Sequence, residues 1–199
     1  MITRDMIDKH RYANTENSER DDAVEQNFKS RMEDMGVHVD NIYCTLSYSQ
    51  GDGACFSGGM GTTGFMKFCE KHPTLLKDYP VISKLLYEYE ASFGLEIYIN
   101  HSRYSHSNSM RVSMHTNSPM DCLPHDPDDE SDLRTIMVNQ LEDLFDKEFH
   151  GLEQELRDLM RGYADELYES LQEEYEYLTS DEAVIEYIKS NHILLAEIN

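Results

Sequence analysis

The hydrophobic and polar positions of the chain change period several times, and each period predicts a different element. Residues 1 to 17 are polar and have no period, so we expect a flexible or short-helical arm. Between Ser18, a candidate N-cap, and Gly36, a candidate stop, apolar side chains recur at helical spacing. This segment is predicted to be a helix of about 17 residues. Its apolar side would consist of Val24, Phe28, Met32 and Met35.

After this helix the period falls to two, the spacing of a strand with one face on a core. The core-facing positions would be Ile42, Cys44, Leu46 and Tyr48. Residues 49 to 53, Ser-Gln-Gly-Asp-Gly, are predicted to form a turn, because glycine adopts the positive φ angles that tight turns need. The chain then returns over residues 54 to 58 as the second strand of a hairpin.

Two helical stretches and two strands are predicted next. The helices run from about 65 to 72, interrupted by Pro73, and from about 80 to 92, with Gly94 as the stop. The second helix would face the core with Val81, Leu85, Leu86 and Tyr89. The strands alternate through Leu95, Ile97 and Ile99 and through Met110, Val112 and Met114, joined by residues 105 to 108. Residues 18 to 116 therefore predict an α+β core: a small antiparallel sheet of about four strands with packed helices.

Residues 117 to 130 contain three prolines and are predicted to be a connection. From residue 131 to 199 we expect an acidic helical region, packed on the core or projecting from it. Its apolar side chains recur at threes and fours over roughly 65 to 70 Å of predicted helix, which either bends near Gly151 or Gly162 or pairs with another chain. The stripe consists of Leu133, Met137, Leu141, Leu144, Phe145, Phe149, Leu152, Leu156, Leu159, Tyr163, Leu167, Leu171, Tyr175 and Leu178.

The end of this region predicts one more helix. Thr179 and Glu182 have the spacing of a capping box, and the helix that they open would end near Asn191. The apolar run at residues 192 to 198 is predicted to add a strand.

Composition indicates a folded, heavily solvated protein of 199 residues. Hydrophobic residues make up only 39%, but 13 Tyr, 7 Phe and 11 Met supply the large apolar groups that disordered chains lack. No run approaches the roughly 20 apolar residues of a membrane span, and we expect a cytoplasmic location. The four cysteines form no Cys-x-x-Cys pair, so we expect buried thiols rather than disulfides or a zinc ribbon.

Charge is the most informative part of the composition. Residues 121 to 199 hold 23 Asp and Glu against 5 Lys and Arg, and they carry about four fifths of the net charge of −22. Because phosphate neutralisation dominates nucleic-acid affinity, direct nucleic-acid binding is not expected. The expected partners are basic: cations, Lys/Arg-rich protein surfaces, or a nucleic-acid-binding groove that the acidic face occupies in place of its ligand.

Two motifs carry a family resemblance. The hairpin motif over residues 49 to 56, Ser-Gln-Gly-Asp-Gly-Ala-Cys-Phe, and the motif over residues 174 to 184, Glu-Tyr-Glu-Tyr-Leu-Thr-Ser-Asp-Glu-Ala-Val, resemble a family of uncharacterised proteins from bacteriophages, prophages and plasmids. The resemblance covers about residues 19 to 192. It implies a viral or mobile-element origin, an accessory role and no inherited catalytic residues.

Two segments invite an enzymatic or ligand-binding interpretation. The glycine-rich segment from Gly51 to Gly64 lacks the Gly-Lys-Ser/Thr of a phosphate loop, and a structural turn is favoured there. A metal site near one end of the sheet would use His101, His106, His115, Cys122, His125 and Asp126, but Cys122-x-x-His125 is only half of a metal motif, and we predict no metal and no cofactor.

The acidic helix offers two interpretations, a solvated face or a binding face. Its carboxylates opposite the apolar stripe include Glu142, Asp143, Asp146 and Glu153. The residues predicted to bind a partner are Gln50 and Asp52 at the hairpin tip and Asp158, Asp165, Glu166, Glu169, Glu173, Glu174 and Glu176 on the helix.

The sequence therefore predicts a non-enzymatic accessory protein of a phage or mobile element. We expect it to bind a basic surface of a host protein and to inhibit or redirect that protein, as an anti-CRISPR or anti-restriction factor does, with charge mimicry of nucleic acid as one route. One alternative is a nucleotide- or metal-binding regulator or enzyme that uses the Gly51–Gly64 segment. The other is a structural protein that self-assembles through the long helix.

Overall fold

The computed structural model describes residues 2–13, 15, 19–46, 52–100, 105–124, 133–191 and 193, with the side chains of residues 19–22 excepted. The helices within these ranges are α1 (Arg4–His10), α2 (Glu19–Asp34), α3 (Thr62–Lys71), α4 (Pro80–Glu88), α5 (Pro119–Cys122), α6 (Leu133–Leu178) and α7 (Asp181–Ser190). The strands are β1 (His38–Thr45), β2 (Gly53–Gly61), β3 (Phe93–Ile99) and β4 (Met110–Thr116). The predicted Ser18 cap lies outside the described residues, and so does the C-terminal apolar run that was expected to add a strand, apart from Ile193, which is helical.

The four strands form one antiparallel sheet in the order β1-β2-β3-β4, so each strand pairs with its neighbour in the chain. The predicted α+β class is confirmed, with a four-stranded antiparallel sheet and a long C-terminal helix followed by a short one. One face of β3 and β4 is buried through Leu95, Ile97, Val112 and Met114, in the alternation that the sequence predicts. On that face the ring of Phe65 from α3 stacks on Phe93 with 3.7 Å between the centroids.

The turn between α2 and β1 shows how the sequence starts the sheet. Gly36 adopts a φ of +92°, and the N–H groups of Gly36 and Val37 donate to the carbonyls of Glu33 and Met32. This is the Schellman arrangement, and the positive φ at Gly36 is the reason that glycine ends the helix here. The predicted stop at Gly36 is therefore confirmed.

The prediction for the first strand was partly wrong. Strand β1 begins at His38 rather than Ile42, because the Schellman turn leads directly into extended chain, and Cys44 is exposed although it lies opposite the buried Ala54. The physical reason is that β1 is an edge strand of the sheet that the described residues form, so no described strand covers its outer side. The expectation of buried thiols is confirmed only for Cys55 and Cys69; Cys122 is half-buried.

The predicted second strand of the hairpin is confirmed, but β2 continues to Gly61, through a glycine-rich segment for which a structural turn was favoured. The helix stop predicted at Gly94 was wrong, because Gly94 lies inside β3. A Cβ on Gly58 would lie 2.0 Å from the His38 carbonyl oxygen, and a Cβ on Gly59 would lie 2.3 Å from that of Leu95. Glycine is required here because neighbouring strands approach closely, not because the chain turns.

Helix α4 is shorter than predicted, and its buried face differs from the predicted one. It ends at Glu88, and Glu90 takes a φ of +51° before β3 begins. Its buried residues are Ile82, Leu85 and Leu86, whereas Val81 is half-buried and Tyr89 is exposed. The predicted connection at 117–130 contains the short helix α5, opened by a capping box of Ser118 and Asp121.

The long helix is confirmed as a single element of 46 residues, continuous through Gly151 and Gly162. Its predicted apolar stripe was wrong at the start, because Leu133, Met137 and Leu144 are exposed. The buried face also includes smaller residues, which the predicted stripe of large apolar side chains left out. Whether a residue is buried depends on what packs against that side of the helix, and not on the size of its side chain. That face consists of Thr135, Val138, Phe145, Leu152, Leu156, Met160, Ala164, Leu167, Leu171 and Leu178.

The chain forms two compact units, one of residues 29–165 and one of residues 1–28 with 166–199. The division differs from the predicted segments 1–17, 18–116, 117–130 and 131–199. The larger unit holds the sheet and most of α6. We call the smaller one the terminal unit.

In the terminal unit, α1 packs on α7 around buried Ile7, Val184 and Ile188. The predicted short-helical form of the N-terminal arm is therefore present over α1. Asp181 ties the two helices together, since it accepts hydrogen bonds from Arg4 and, at 2.6 Å, from Arg11.

Candidate functional site

The acidic residues predicted to bind a partner fall into two groups. Four of them are exposed on the last turns of α6 in the terminal unit. Their separations of three, four and three residues place them along one side of the helix. We call this row the acidic stripe; it consists of Glu166, Glu169, Glu173 and Glu176.

The other predicted acidic residues do not belong to the stripe. Glu174 is half-buried. Asp158 and Asp165 are exposed but belong to the larger unit, and Asp158 accepts a hydrogen bond from Gln154 at 2.9 Å. Of the seven predicted acidic residues, four therefore lie in one exposed row on α6.

Several carboxylates in the first half of α6 bond to backbone groups of other elements, which the sequence did not reveal. Glu148 accepts hydrogen bonds from the N–H groups of Val81 and Ile82 at 2.9 and 3.0 Å. These groups are the unpaired donors at the N-terminus of α4, where a negative charge also opposes the positive end of the helix dipole. Glu148 is therefore a helix cap supplied from another element.

Glu142 and Glu153, which we placed opposite the apolar stripe, also accept hydrogen bonds from backbone N–H groups. Glu142 accepts from the N–H of Met120 in α5 at 3.2 Å. Glu153 accepts from the N–H of Met114 on edge strand β4 at 3.3 Å and pairs with Arg157 at 3.0 Å. Both side chains are half-buried, so neither the solvated-face nor the binding-face interpretation of the acidic helix applies to them.

The hairpin tip and the histidine cluster receive little support. Gln50 lies outside the described residues, and Asp52 is half-buried just before β2. His106 accepts from the N–H of Asn108 at 3.1 Å, as the cap of a short 3-10 helix. His101, His125 and Asp126 lie outside the described residues, and among the described ones no three His, Cys, Asp or Glu side chains are placed to hold a metal ion.

The two buried thiols, Cys55 and Cys69, are poor nucleophiles. Burial raises the pKa of Cys55 to about 11 and that of Cys69 to about 12. Since the thiolate is the nucleophile, neither group is suited to covalent chemistry near neutral pH.

Sequence reasoning missed a groove on the exposed face of the sheet, with a volume of about 560 Å³. Its floor is made of glycines, with Gly61 of β2 directly opposite Gly94 of β3 and Gly59 two residues before Gly61. We call it the glycine groove. The ring of His115, opposite Gly94 on β4, lies against the Gly94 backbone, because a Cβ on Gly94 would be 2.0 Å from its Nε2 atom.

The strand register sets a polar row across this groove. His38, Gly59 and Glu96 are consecutive partners on β1, β2 and β3. Directly opposite residues project to the same face of a sheet, so His38 and Glu96 stand on either side of a position without a side chain. The signal in the sequence was the glycines themselves, which close strand pairing explains only in part.

A bulge and a helix end complete one side of the groove. The pairing of β1 shifts between Val39 and Asn41, which leaves Asp40 as the extra residue of a bulge. His38 lies between two carboxylates, with Nδ1 3.3 Å from Glu33 and Nε2 3.2 Å from Asp40.

No helix in the described part of the chain is long and apolar enough to span a bilayer.

Comparison with known proteins places the chain in a family without assigning an activity. No curated protein and no solved structure matches it significantly. A family model described as Domain of unknown function (DUF8835) matches residues 21–181, which is most of the chain and includes the sheet, the glycine groove and α6. The chain therefore belongs to the DUF8835 family.

Proposed function

We infer that the protein acts by binding a basic surface of another protein, and that the acidic stripe is the contact. The observation that carries this proposal is the concentration of charge. The terminal unit holds 16 Asp and Glu against 5 Lys and Arg, a net charge of −11 on 62 residues, whereas the larger unit spreads the same net charge over 137. The side chains of Glu169 and Glu173 within the stripe make no hydrogen bond or ion pair with the residues that the structure describes.

Electrostatics favours this kind of partner. A row of like charges is mildly unfavourable to the helix that carries it, and a cationic surface relieves that repulsion. Complementary charge accelerates association and excludes wrong partners, so binding should weaken as salt rises. The same charge opposes direct contact with nucleic acid phosphates.

The biological setting that we propose comes from the resemblance of the two motifs to phage, prophage and plasmid proteins. In that setting the partner is a host protein in the cytoplasm, and a nuclease or defence complex with a basic channel fits the charge of the stripe. The protein would then inhibit or redirect its target by stoichiometric binding, with nucleic-acid mimicry as one route.

Affinity purification from host cells, followed by mass spectrometry and reconstitution with the purified candidate, tests the proposal. The variant Glu169→Lys/Glu173→Lys should lose the partner that the wild type enriches. The matched control is Asp143→Lys/Asp146→Lys, which makes the same charge change at exposed positions near the start of α6. Equal enrichment by both variants, or tight binding of duplex DNA by the wild type, would contradict the proposal.

A second candidate function is self-assembly, favoured by one observation. Leu133, Met137 and Leu144 on the first turns of α6 are exposed by 75%, 62% and 49%. Exposed apolar rows on a helix are typical of helix pairing. Light scattering on the wild type and on Leu133→Gln/Met137→Gln tests it, since a monomeric wild type excludes assembly and a monomeric variant of an oligomeric wild type supports it.

A further inference from the structure

The glycine groove has the chemistry of a cation site, and it lies outside the acidic stripe. Its described lining includes the carboxylates of Glu33, Asp40 and Glu96, the imidazoles of His38 and His115, and no Lys or Arg. The formal charge of these groups is −3 with neutral histidines, and it remains negative with both histidines protonated. A cationic group that enters the groove therefore meets a favourable potential at any pH at which the carboxylates are ionised.

The floor of the groove accepts a flat group. Strands in a sheet are about 4.8 Å apart, so the backbones of His38 and Glu96 are separated by about 10 Å, with Gly59 between them. Because Gly59 has no side chain, a planar group can lie on the strand backbone between the two. Gly61 extends this bare floor, since a Cβ built there meets nothing within 4 Å.

These features together select arginine as the group to be bound. A guanidinium is planar, always charged, and has a fork of donors that matches carboxylates on more than one side. The side chain of Glu96 is exposed and makes no hydrogen bond or ion pair with the described residues, so it is available as the anchor. Glu33 and Asp40 stand beyond His38 at the other side of the groove.

The openness of the groove indicates where that arginine comes from. Sites for free small molecules usually enclose most of the ligand surface. The glycine groove lies on the exposed sheet face, and the side chains of His38 and Asp40 at its rim are 69% and 55% exposed. A shallow site of this kind suits a side chain that a protein segment presents, because the rest of the segment supplies further contacts.

We propose that the glycine groove binds an arginine side chain of a partner protein, with the guanidinium over Gly59 and Gly61 and the carboxylate of Glu96 as its main anchor. This goes beyond the proposed function of the acidic stripe, because the two sites share no residue and each is removed by different substitutions.

The probe is the peptide acetyl-Ala-Arg-Ala-amide, compared with its neutral citrulline isostere and with methylguanidinium alone. Binding is followed by ¹H–¹⁵N NMR. We expect saturable shifts of the Gly59, Gly61 and Gly94 amides with the arginine peptide, and at least about tenfold weaker binding of the citrulline peptide, because the charge-assisted hydrogen bonds are lost.

Two variants and two matched controls locate the site. Glu96→Gln should weaken binding of the arginine peptide by about tenfold. Gly61→Val should abolish the peptide-induced amide shifts, because its side chain fills the groove. Glu70→Gln removes an exposed carboxylate outside the groove, and Gly162→Ala adds a side-chain carbon where nothing lies within 4 Å, so both should bind like the wild type.

The proposal would be overturned if the arginine and citrulline peptides bound with equal affinity, or if Glu96→Gln and Glu70→Gln weakened arginine-peptide binding equally. It would also be overturned if the saturable amide shifts appeared at residues outside the glycine groove. Methylguanidinium binding as tightly as the peptide would refute a protein-borne arginine. If Gly61→Val fails to fold, the affinity of Glu96→Gln for the arginine peptide still tests the site, because this substitution removes the charge of an exposed side chain without changing its shape. A failed partner capture through the acidic stripe leaves all these readouts unaffected.

Discussion

The early and late parts of α6 carry similar carboxylates and use them differently. In the first half of the helix, Glu142, Glu148 and Glu153 accept hydrogen bonds from backbone N–H groups of α5, α4 and β4. Near the end, the side chains of Glu169 and Glu173 are exposed and make no hydrogen bond or ion pair with the described residues. The difference teaches that an acidic helix pattern does not separate carboxylates that stabilise the fold from those that are available for binding.

The cause of the difference is the supply of unpaired backbone donors. A helix N-terminus leaves its first N–H groups without partners, and an edge strand leaves a row of them. In the larger unit α4 and β4 present both kinds of donor beside α6, and Glu148 and Glu153 satisfy them. A carboxylate bound in this way is not free for a partner protein.

The largest effect should follow from removing the cap that α6 supplies. Glu148→Ala leaves the N–H groups of Val81 and Ile82 without their acceptor, and it should lower the free energy of unfolding by about 1–2 kcal/mol. Urea denaturation measures this. The matched change Glu169→Ala on the stripe should stay within about 0.5 kcal/mol of the wild type. Equal losses in the two variants would erase the distinction between early and late carboxylates.

A somewhat smaller change in the free energy of unfolding, a gain rather than a loss, is expected from a substitution in α6 between the two groups of carboxylates. Gly162 is exposed, and a Cβ there meets nothing within 4 Å, so alanine gains helix propensity without a clash. Gly162→Ala should raise the free energy of unfolding by about 1 kcal/mol. A loss of stability would mean that α6 is not continuous through this residue.

A third prediction concerns a carboxylate of the terminal unit that is paired, in contrast to the stripe. Hydrogen bonds from Arg11 and then Arg4 lower the pKa of Asp181 from its ordinary 3.8. The folded state therefore binds this proton less tightly than the unfolded state, so the stabilisation is complete above pH 3.8 and is lost as pH falls through the lowered value.

Acid titration followed by NMR of the Ile7 methyl group, which packs on α7, measures the release of α1. Asp181→Asn should loosen this contact already at neutral pH. Asp5→Asn, at an exposed position of α1, is the control and should leave it unchanged. An Ile7 signal that is indifferent to both acid and Asp181→Asn would show that apolar packing alone holds α1 on α7.

The smallest effect on stability is expected in the stripe itself. Glu169→Gln/Glu173→Gln removes a like-charge pair at i,i+4 spacing, so the free energy of unfolding should rise by a few tenths of a kcal/mol or not change. Thermal unfolding at low and high salt measures it, and any gain should shrink as salt screens the repulsion. A clear loss of stability would mean that Glu169 and Glu173 stabilise the fold, as Glu148 does.

The features that the sequence predicted correctly depend on local spacing. The helix stop at Gly36, the alternation through Leu95 and Val112, and the helical period of α6 can each be recognised from residues close together in the chain. The family resemblance to phage proteins and the host-protein target remain predictions, since the DUF8835 match carries no activity.

The features that the sequence did not predict depend on residues far apart in the chain. Glu148 meets Val81 across 67 positions, and the row of His38, Gly59 and Glu96 exists only once three strands are in register. Gly59 and Gly94 were interpreted as loop and stop signals because single-sequence patterns cannot show a neighbouring strand. The glycine groove could not be found for the same reason.

The most direct test of the central claim is the dissociation constant of the captured partner for three proteins: the wild type, Glu169→Lys/Glu173→Lys and Asp143→Lys/Asp146→Lys. The account predicts that the stripe variant binds at least about tenfold more weakly, that the control stays within about twofold, and that wild-type affinity falls with salt. Equal affinities for the two variants, with no salt dependence, would contradict it.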